Sequence, residues 1–310
     1  MDSNGRTEND TWDVTTSVGA TATAVATMRA LASRRPDALF HDPYAEMLVR
    51  AADKRWARLL DQADTMIAEM PGETARQWAG GGFMVARTCY FDSYFQDSMA
   101  ADIGQIVILA SGLDTRAYRM DWPVGTTIFE IDQPQMLEFK AATLSANSVV
   151  AKADCRHVGI DLRHDWPTAL VARGFDPHRP TSWLAEGLLG YLPAADQDRL
   201  FDNVVALSAC NSRFAANYAT ADAETAARQF SAERARTLDR FGIQLDVSSL
   251  RYSNEGRSDP PEWFADHGWT VTSTDADEVL HELGRPTEER ARALLRSHRM
   301  MSAVLPAIHS

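Results

Sequence analysis

The stretch Val107-Ile108-Leu109-Ala110-Ser111-Gly112-Leu113-Asp114-Thr115-Arg116 decides the fold. An uninterrupted apolar run over residues 105–110 ends in Ser111-Gly112, the pattern of a short strand buried on both faces of a parallel sheet and released into a tight turn. Similar runs recur downstream at residues 126–131, 157–160, 182–185 and 213–216. Helix-compatible segments separate them, among them 134–144 and 194–210. Strands alternating with helices indicate a doubly wound α/β sheet. Residues 269–273 and 301–305 supply two late strands that close it.

Upstream of residue 103 the period changes. Residues 1–15 read as a flexible arm, and an Ala/Thr-rich helix over 17–32 is stopped by Pro36, which lacks an N–H and clashes with the preceding turn. Asp42-Pro43 reads as an N-cap followed by proline at the first helical position. Leu48, Ala52, Trp56, Leu59, Leu60 and Met66 then recur at three- or four-residue steps, as in an amphipathic helix or helix pair, which Pro71-Gly72 ends. Gly80-Gly81-Gly82 lacks the Lys-Ser/Thr of a phosphate loop and reads as a hinge. After it, Phe83, Ala86, Thr88, Tyr90, Phe91, Tyr94 and Phe95 mark a helix running to about residue 102, its aromatics serving packing. The expected division is an arm over 1–15, a helical cap over 16–102 and a nucleotide-fold core over 103–310. Within that core, residues 219–262 form a charged, helix-like insertion with a turn cluster at Asp259-Pro260-Pro261.

Composition narrows the function. The 310 residues carry 31 Lys+Arg against 43 Asp+Glu, a net charge of −12, with 45% hydrophobic and 24% charged residues. These fractions suit a globular chain with a substantial core. No run approaches the ~18–20 apolar residues of a membrane span, and the polar, acidic start lacks the pattern of a secretory signal. A cytoplasmic protein without a membrane partner is expected. A negative field without a basic block disfavours nucleic acid. Cys89, Cys155 and Cys210 stand far apart and read as core thiols. The eight histidines include no H-x-x-x-H pair, so no metal site is expected. No G-x-S-x-G elbow supports a hydrolase. Oligomeric state stays open.

Ligands of such sheets bind at the carboxyl ends of the strands, where the first strand-to-helix turn must admit a cofactor. That turn, residues 110–116, is not G-x-G-x-x-G. Gly112 occupies the first glycine position and Asp114 the second. A carboxylate facing a pyrophosphate at ~4 Å and an effective dielectric of ~20 costs about 4 kcal/mol, which disfavours NAD or FAD. S-adenosyl-L-methionine, a sulfonium nucleoside without phosphate, fits better. Twenty residues after Gly112, Asp132 ends the second strand where an acid accepts hydrogen bonds from both ribose hydroxyls. Glu130 points to the same side by strand alternation. Asp161-Leu162 ends the third strand, a carboxylate for the adenine edge beside an apolar residue for its face.

Together with Phe129-Glu130-Ile131-Asp132-Gln133-Pro134 and Ala185-Glu186-Gly187-Leu188-Leu189-Gly190-Tyr191-Leu192-Pro193, the opening stretch resembles the leucine carboxyl methyltransferase family, closest to its bacterial branch of S-adenosyl-L-methionine-dependent methyltransferases. The resemblance extends from Ser17-Val18-Gly19 and Asp42-Pro43 to about Ser212. It implies a class I methyltransferase fold, a Rossmann-like seven-stranded sheet with an N-terminal helical cap and an insertion before the sixth strand. It also implies that Arg87 grips the methionine carboxylate, Gly112 lies in the cofactor loop, Asp132 holds the ribose, Asp161 and Leu162 the adenine, and that Glu186 is the family's acid after the fourth strand. Arg29 is a candidate for a second basic residue of the N-terminal segment. Asp114 joins the site as a partner for the ammonium, or as a helix N-cap. The family's leucine-carboxyl substrate does not transfer, because residues 219–262, where acceptor selection would lie, carry no recognisable motif.

The expected activity is O-methylation of a carboxylate or hydroxyl on a small molecule. A carboxylate needs no general base. For a hydroxyl, His157, His164 and Tyr191 are the available candidates, none of them distinguished by its surroundings in the sequence. The rival readings are an NAD-dependent oxidoreductase on the same fold and a noncatalytic regulator that binds the same cofactor.

Overall fold

The computed structural model describes residues 17–69, 82–220, 223, 235–247, 249–285 and 287–307. Among the described residues, four helices precede the sheet: α1 (Ser17–Ser33), α2 (Ala45–Ala52), α3 (Lys54–Glu69) and α4 (Phe83–Ala100). Helix α1 buries Thr23 and Thr27 because their hydroxyls fold back onto carbonyls of the same helix. Thr27 Oγ1 donates to the Thr23 carbonyl at 2.8 Å, and Thr23 Oγ1 to the Gly19 carbonyl at 3.5 Å. The amphipathic stretch after Pro43 is a pair of helices, broken where Asp53 adopts an extended conformation. Asp42 caps the first of them from three residues ahead, Oδ1 accepting the Ala45 amide at 3.1 Å. The expected arm over residues 1–15, together with Gly80 and Gly81, lies outside the described residues.

Seven strands follow: β1 (Gln105–Leu109), β2 (Thr127–Asp132), β3 (Asp154–Gly159), β4 (Thr181–Ala185), β5 (Arg213–Ala219), β6 (Thr270–Asp275) and β7 (His298–Val304). They form one sheet in the order β3-β2-β1-β4-β5-β7-β6. The first five run parallel, while β7 pairs antiparallel with both β5 and β6. This is the α/β sheet the sequence implied, in the class I methyltransferase arrangement. Strands β1 and β4 are buried throughout. Alternate residues of β1 serve opposite cores: Ile106 and Ile108 pack with the N-terminal helices, Val107 and Leu109 with the other face.

The other helices among the described residues are α5 (Arg116–Arg119), α6 (Pro134–Ala146), α7 (Trp166–Ala172), α8 (Ala194–Ala206), α9 (Pro260–Asp266), α10 (Ala276–Glu282) and α11 (Glu289–Arg296), with a 3₁₀ turn at Leu189–Tyr191. The Asp259-Pro260-Pro261 cluster is the start of α9 rather than a turn. Pro260 takes the first helical position and the Asp259 carboxylate accepts the Glu262 amide at 3.2 Å. Strand β3 begins at Asp154, three residues earlier than its apolar pattern, because it is a sheet edge whose first half needs no apolar side chains. The three cysteines are free and half-buried, Cys89 and Cys155 packing against the core from its margin. No helix among the described residues is long and apolar enough to cross a membrane.

Strand order fixes where a ligand can sit. Helical crossovers leave β1 toward β2 on one side, whereas β4 continues the sheet on the other, so a crevice opens at the carboxyl ends of these strands. Beneath it, Lys140 of α6 and Glu130 of β2 form a solvent-free ion pair at 2.9 Å. Removing one member of a buried pair strands the other charge. Lys140→Met is therefore expected to lower unfolding free energy by ~3–5 kcal/mol, read from urea denaturation; a loss under about 1 kcal/mol contradicts the pairing.

Candidate active site

The loop after β1 is built from a backbone that turns sharply twice. Ala110 and Gly112 both have positive φ, 53° and 48°, a conformation costing about 1–2 kcal/mol outside glycine. A Cβ on Gly112 would also stand 3.4 Å from the Ala22 Cβ. The loop is held against β2 by backbone and carboxylate together. Ser111 N donates to the Ile131 carbonyl at 3.0 Å. Gly112 N donates to Asp132 Oδ2 at 2.6 Å, and Gln133 N donates to Oδ1 at 2.7 Å. Burial pushes the Asp132 carboxyl above its ordinary value, against the pull of these two amides and of Lys140.

A cavity of about 190 Å³ opens at this junction. Gly112 and Asp114 line it from the loop, Asp132 from β2, Asp161 and Leu162 from the end of β3, and Glu186 from the end of β4. Arg87 of α4 and Arg29 of α1 line it from the helical side. All seven residues singled out in the sequence, and Arg29, therefore converge on one site. Ser111 lines it as well, its buried Oγ without a hydrogen-bond partner. Each Asp132 oxygen has one amide bond and retains acceptor capacity, so these acceptors fit the hydroxyls of a ribose diol, with Arg87 available to a carboxylate.

Arginines hold the acids in place. Arg116, buried under the loop, pairs with Asp92 at 2.7 Å, with Asp114, and with Glu186 Oε2 at 2.7 Å. Glu186 Oε1 lies 2.8 Å from Arg87 Nε, bridging the two guanidiniums. Burial acts to raise the Asp114 carboxyl, but the charges of Arg116 and Arg29 overrule it and hold it at about 2. This corrects the charge argument drawn from the sequence. Repulsion of a pyrophosphate presumed an unpaired Asp114, whereas Arg116 balances it. As an N-cap Asp114 acts one residue early, Oδ1 accepting the Arg116 amide at 2.7 Å while Thr115 occupies the cap position. Arg29 donates to Asp42 Oδ2 at 2.9 Å and to the Leu113 carbonyl at 2.6 Å, bracing the loop from behind. Asp161 is gripped by Arg163 at 2.7 Å and receives the Gln133 amide at 2.6 Å.

Two expectations resolve differently. Glu130 shares the side of Asp132 but lies one pleat deeper, where Lys140 covers it, and it does not line the cavity. Of the three side chains offered as bases, Tyr191 alone lines the cavity. Arg116 was not singled out, although a loop that gathers acids in a buried place requires a nearby cation. Arg251 was also missed. It lies over the Tyr191 ring at 5.9 Å and reaches the cavity from the described part of the 219–262 segment, much of which lies outside the described residues. Tyr252 N donates to the Gly190 carbonyl at 3.0 Å, and Arg257 to the Leu189 and Leu192 carbonyls at 3.0 and 2.6 Å, strapping that segment to the 3₁₀ turn.

Residues 22–205 match the family model described as leucine carboxyl methyltransferase. A Mycobacterium avium (strain 104) protein named "Putative S-adenosyl-L-methionine-dependent methyltransferase" is 44% identical over 299 residues, covering 94% of each chain. A protein of the same name from Mycobacteroides abscessus is 47% identical over 298 residues, covering 92% of this chain and 94% of that one. Among solved structures, a DUF574 family protein from Streptomyces avermitilis is 14% identical with a TM-score of 0.49, covering 91% of this chain and 97% of that one.

The depressed Asp114 carboxyl sets a pH window. Its folded value of about 2 lies below the ordinary 3.8, so the pair with Arg116 contributes fully above the ordinary value and is lost as pH falls through the folded one. Asp114→Asn is expected to flatten that part of the acid limb in a pH series of urea unfolding. An unchanged acid limb contradicts the pairing.

Proposed function

The chain belongs to the leucine carboxyl methyltransferase family and is an S-adenosyl-L-methionine-dependent methyltransferase; on that premise we propose that it methylates a carboxylate or hydroxyl oxygen of a small molecule, with the cavity at the end of β1 as its cofactor site. The observation that carries this reading is the Asp132 carboxylate, fixed between the Gly112 and Gln133 amides at the lip of that cavity. Geometry of this kind presents two oxygens to a vicinal diol without further movement of the chain.

In this reading Asp132 binds the ribose, and Asp161 with Leu162 takes the adenine, one by hydrogen bonds and the other by packing. Arg87 takes the methionine carboxylate while Glu186 keeps its Nε side occupied. Asp114 and Glu186, each held in place by Arg116, offer acceptor oxygens to the ammonium. Bound S-adenosyl-L-methionine supplies a methyl carbon on a sulfonium, whose positive charge is lost during transfer.

The protein's task is then alignment of an in-line displacement and exclusion of water. Tyr191, Leu192 and Arg251 also line the cavity, and in this reading they face the acceptor. A carboxylate acceptor arrives as a nucleophile and requires only positioning; for a hydroxyl, Tyr191 is the cavity-lining candidate to move its proton. Free, half-buried cysteines suit a reducing compartment, and we place the activity in the cytoplasm.

Asp132→Ala is expected to weaken binding of S-adenosylhomocysteine by ~1–3 kcal/mol, roughly 5- to 150-fold, through the unpaired diol, measured by titration calorimetry. Unchanged affinity removes the proposed ribose contact. In a thermal-shift comparison the wild-type protein is expected to be stabilised by S-adenosylhomocysteine and not by NAD; the reverse favours an oxidoreductase.

A further inference from the structure

We propose that the Ser111 hydroxyl donates a hydrogen bond to the carboxylate of the cofactor's amino-acid moiety, a second anchor beside Arg87; the inference rests on the cofactor site proposed above. Ser111 is 5% exposed and lines the cavity. Its backbone is engaged on both sides, the amide donating to the Ile131 carbonyl at 3.0 Å and the carbonyl accepting the Asp114 amide at 2.8 Å. The hydroxyl is not. Among the described residues, four buried serine and threonine hydroxyls lack a well-formed hydrogen bond, those of Ser111, Thr115, Thr126 and Ser182, and of these Ser111 alone lines the cavity.

A hydroxyl shut away from water without a partner costs stability that alanine would not. Helical residues of this chain avoid the cost by bonding a carbonyl one turn back, as Ser98 does with Tyr94 at 2.9 Å and Thr88 with Met84 at 2.8 Å. Ser111 has no such turn behind it. It follows β1 and stands between two residues of positive φ, Ala110 and Gly112, so the path of the loop withholds a local acceptor.

Strand order decides which part of the cofactor meets it. Strand β1 pairs with β2 on one side and β4 on the other. Asp132, the proposed ribose acid, ends β2, whereas the Arg87 guanidinium is seated on the turn after β4. Gly187 of that turn has a φ of 68°, and a Cβ on it would stand 3.4 Å from Arg87 Nη1. A cofactor held at both places lays its amino-acid chain across the end of β1, where Ser111 stands. The ammonium of that chain is a donor to which Asp114 and Glu186 already offer oxygens, and a sulfonium accepts nothing. The carboxylate remains, with more acceptor sites than one guanidinium fills. A neutral hydroxyl suits it, adding a directed bond without a further positive charge near the sulfonium.

The test compares wild-type protein with Ser111→Ala in titration calorimetry against S-adenosylhomocysteine and against its decarboxylated analogue, which keeps the nucleoside, the thioether and the amine. Ser111→Ala is expected to weaken S-adenosylhomocysteine at least ~10-fold and to change the analogue by less than about 2-fold. Without ligand the variant is expected to melt about 1–2 °C above wild type, since it no longer buries an unpaired hydroxyl. Unchanged affinity for S-adenosylhomocysteine overturns the proposal. Equal weakening of both ligands does so too, since the hydroxyl would then serve the nucleoside or the amine. A melting temperature below wild type also overturns it, because the hydroxyl would then serve the fold. Wild-type protein that binds neither ligand fails the cofactor reading, and this assignment with it; normal wild-type binding with an indifferent Ser111→Ala leaves that reading standing and removes this one.

Discussion

One carboxylate joins the two strand ends on which the site is built. Asp132 accepts the amides of Gly112 and Gln133, tying the loop after β1 to the end of β2 at the place where the sheet reverses its direction of growth. Without that junction Ala110 would have no reason to hold its strained left-handed geometry. With it, a crevice implicit in the strand order becomes a cavity with a fixed acid at its lip.

A cavity lined by Asp114, Asp132, Asp161 and Glu186 in an acidic protein is electrostatically unstable unless cations are buried beside it. Arginines meet this need. Arg116 takes three carboxylates, Arg87 shares one of them, Arg163 grips Asp161, and Arg29 braces the loop through Asp42 and Leu113. Lys140 does the same for Glu130 beneath the floor. The planar fork of arginine suits this work, since one guanidinium can serve several acceptors in fixed directions. The outcome is a site with charge of both signs in set positions, suited to a zwitterionic amino-acid moiety joined to a nucleoside.

The frame of the sheet was readable because β1 and β4 are buried on both faces and so appear as continuous apolar runs. Gly112 and the strand-end acids Asp132 and Asp161 were readable because ligand binding at the ends of parallel strands constrains residue type. Edge and connection detail was not. The polar first half of β3 lacks an apolar pattern, and helices α5, α7, α9, α10 and α11 span only four to eight residues, too few to show a period. Ion pairing was least readable of all. Arg116 meets Asp92, 24 residues behind it, and Glu186, 70 ahead, so only the folded chain reveals that Asp114 is balanced and that Glu130 belongs to the floor. Residue type placed the acids; partner identity decided what their charges do.

The most direct test of this account is a crystal structure of the protein grown with S-adenosylhomocysteine. The account predicts the ribose hydroxyls on the Asp132 carboxylate, the amino-acid carboxylate on Arg87, and adenine beside Asp161 and Leu162. Density for the nucleoside elsewhere on the molecule, with this cavity empty, would contradict it.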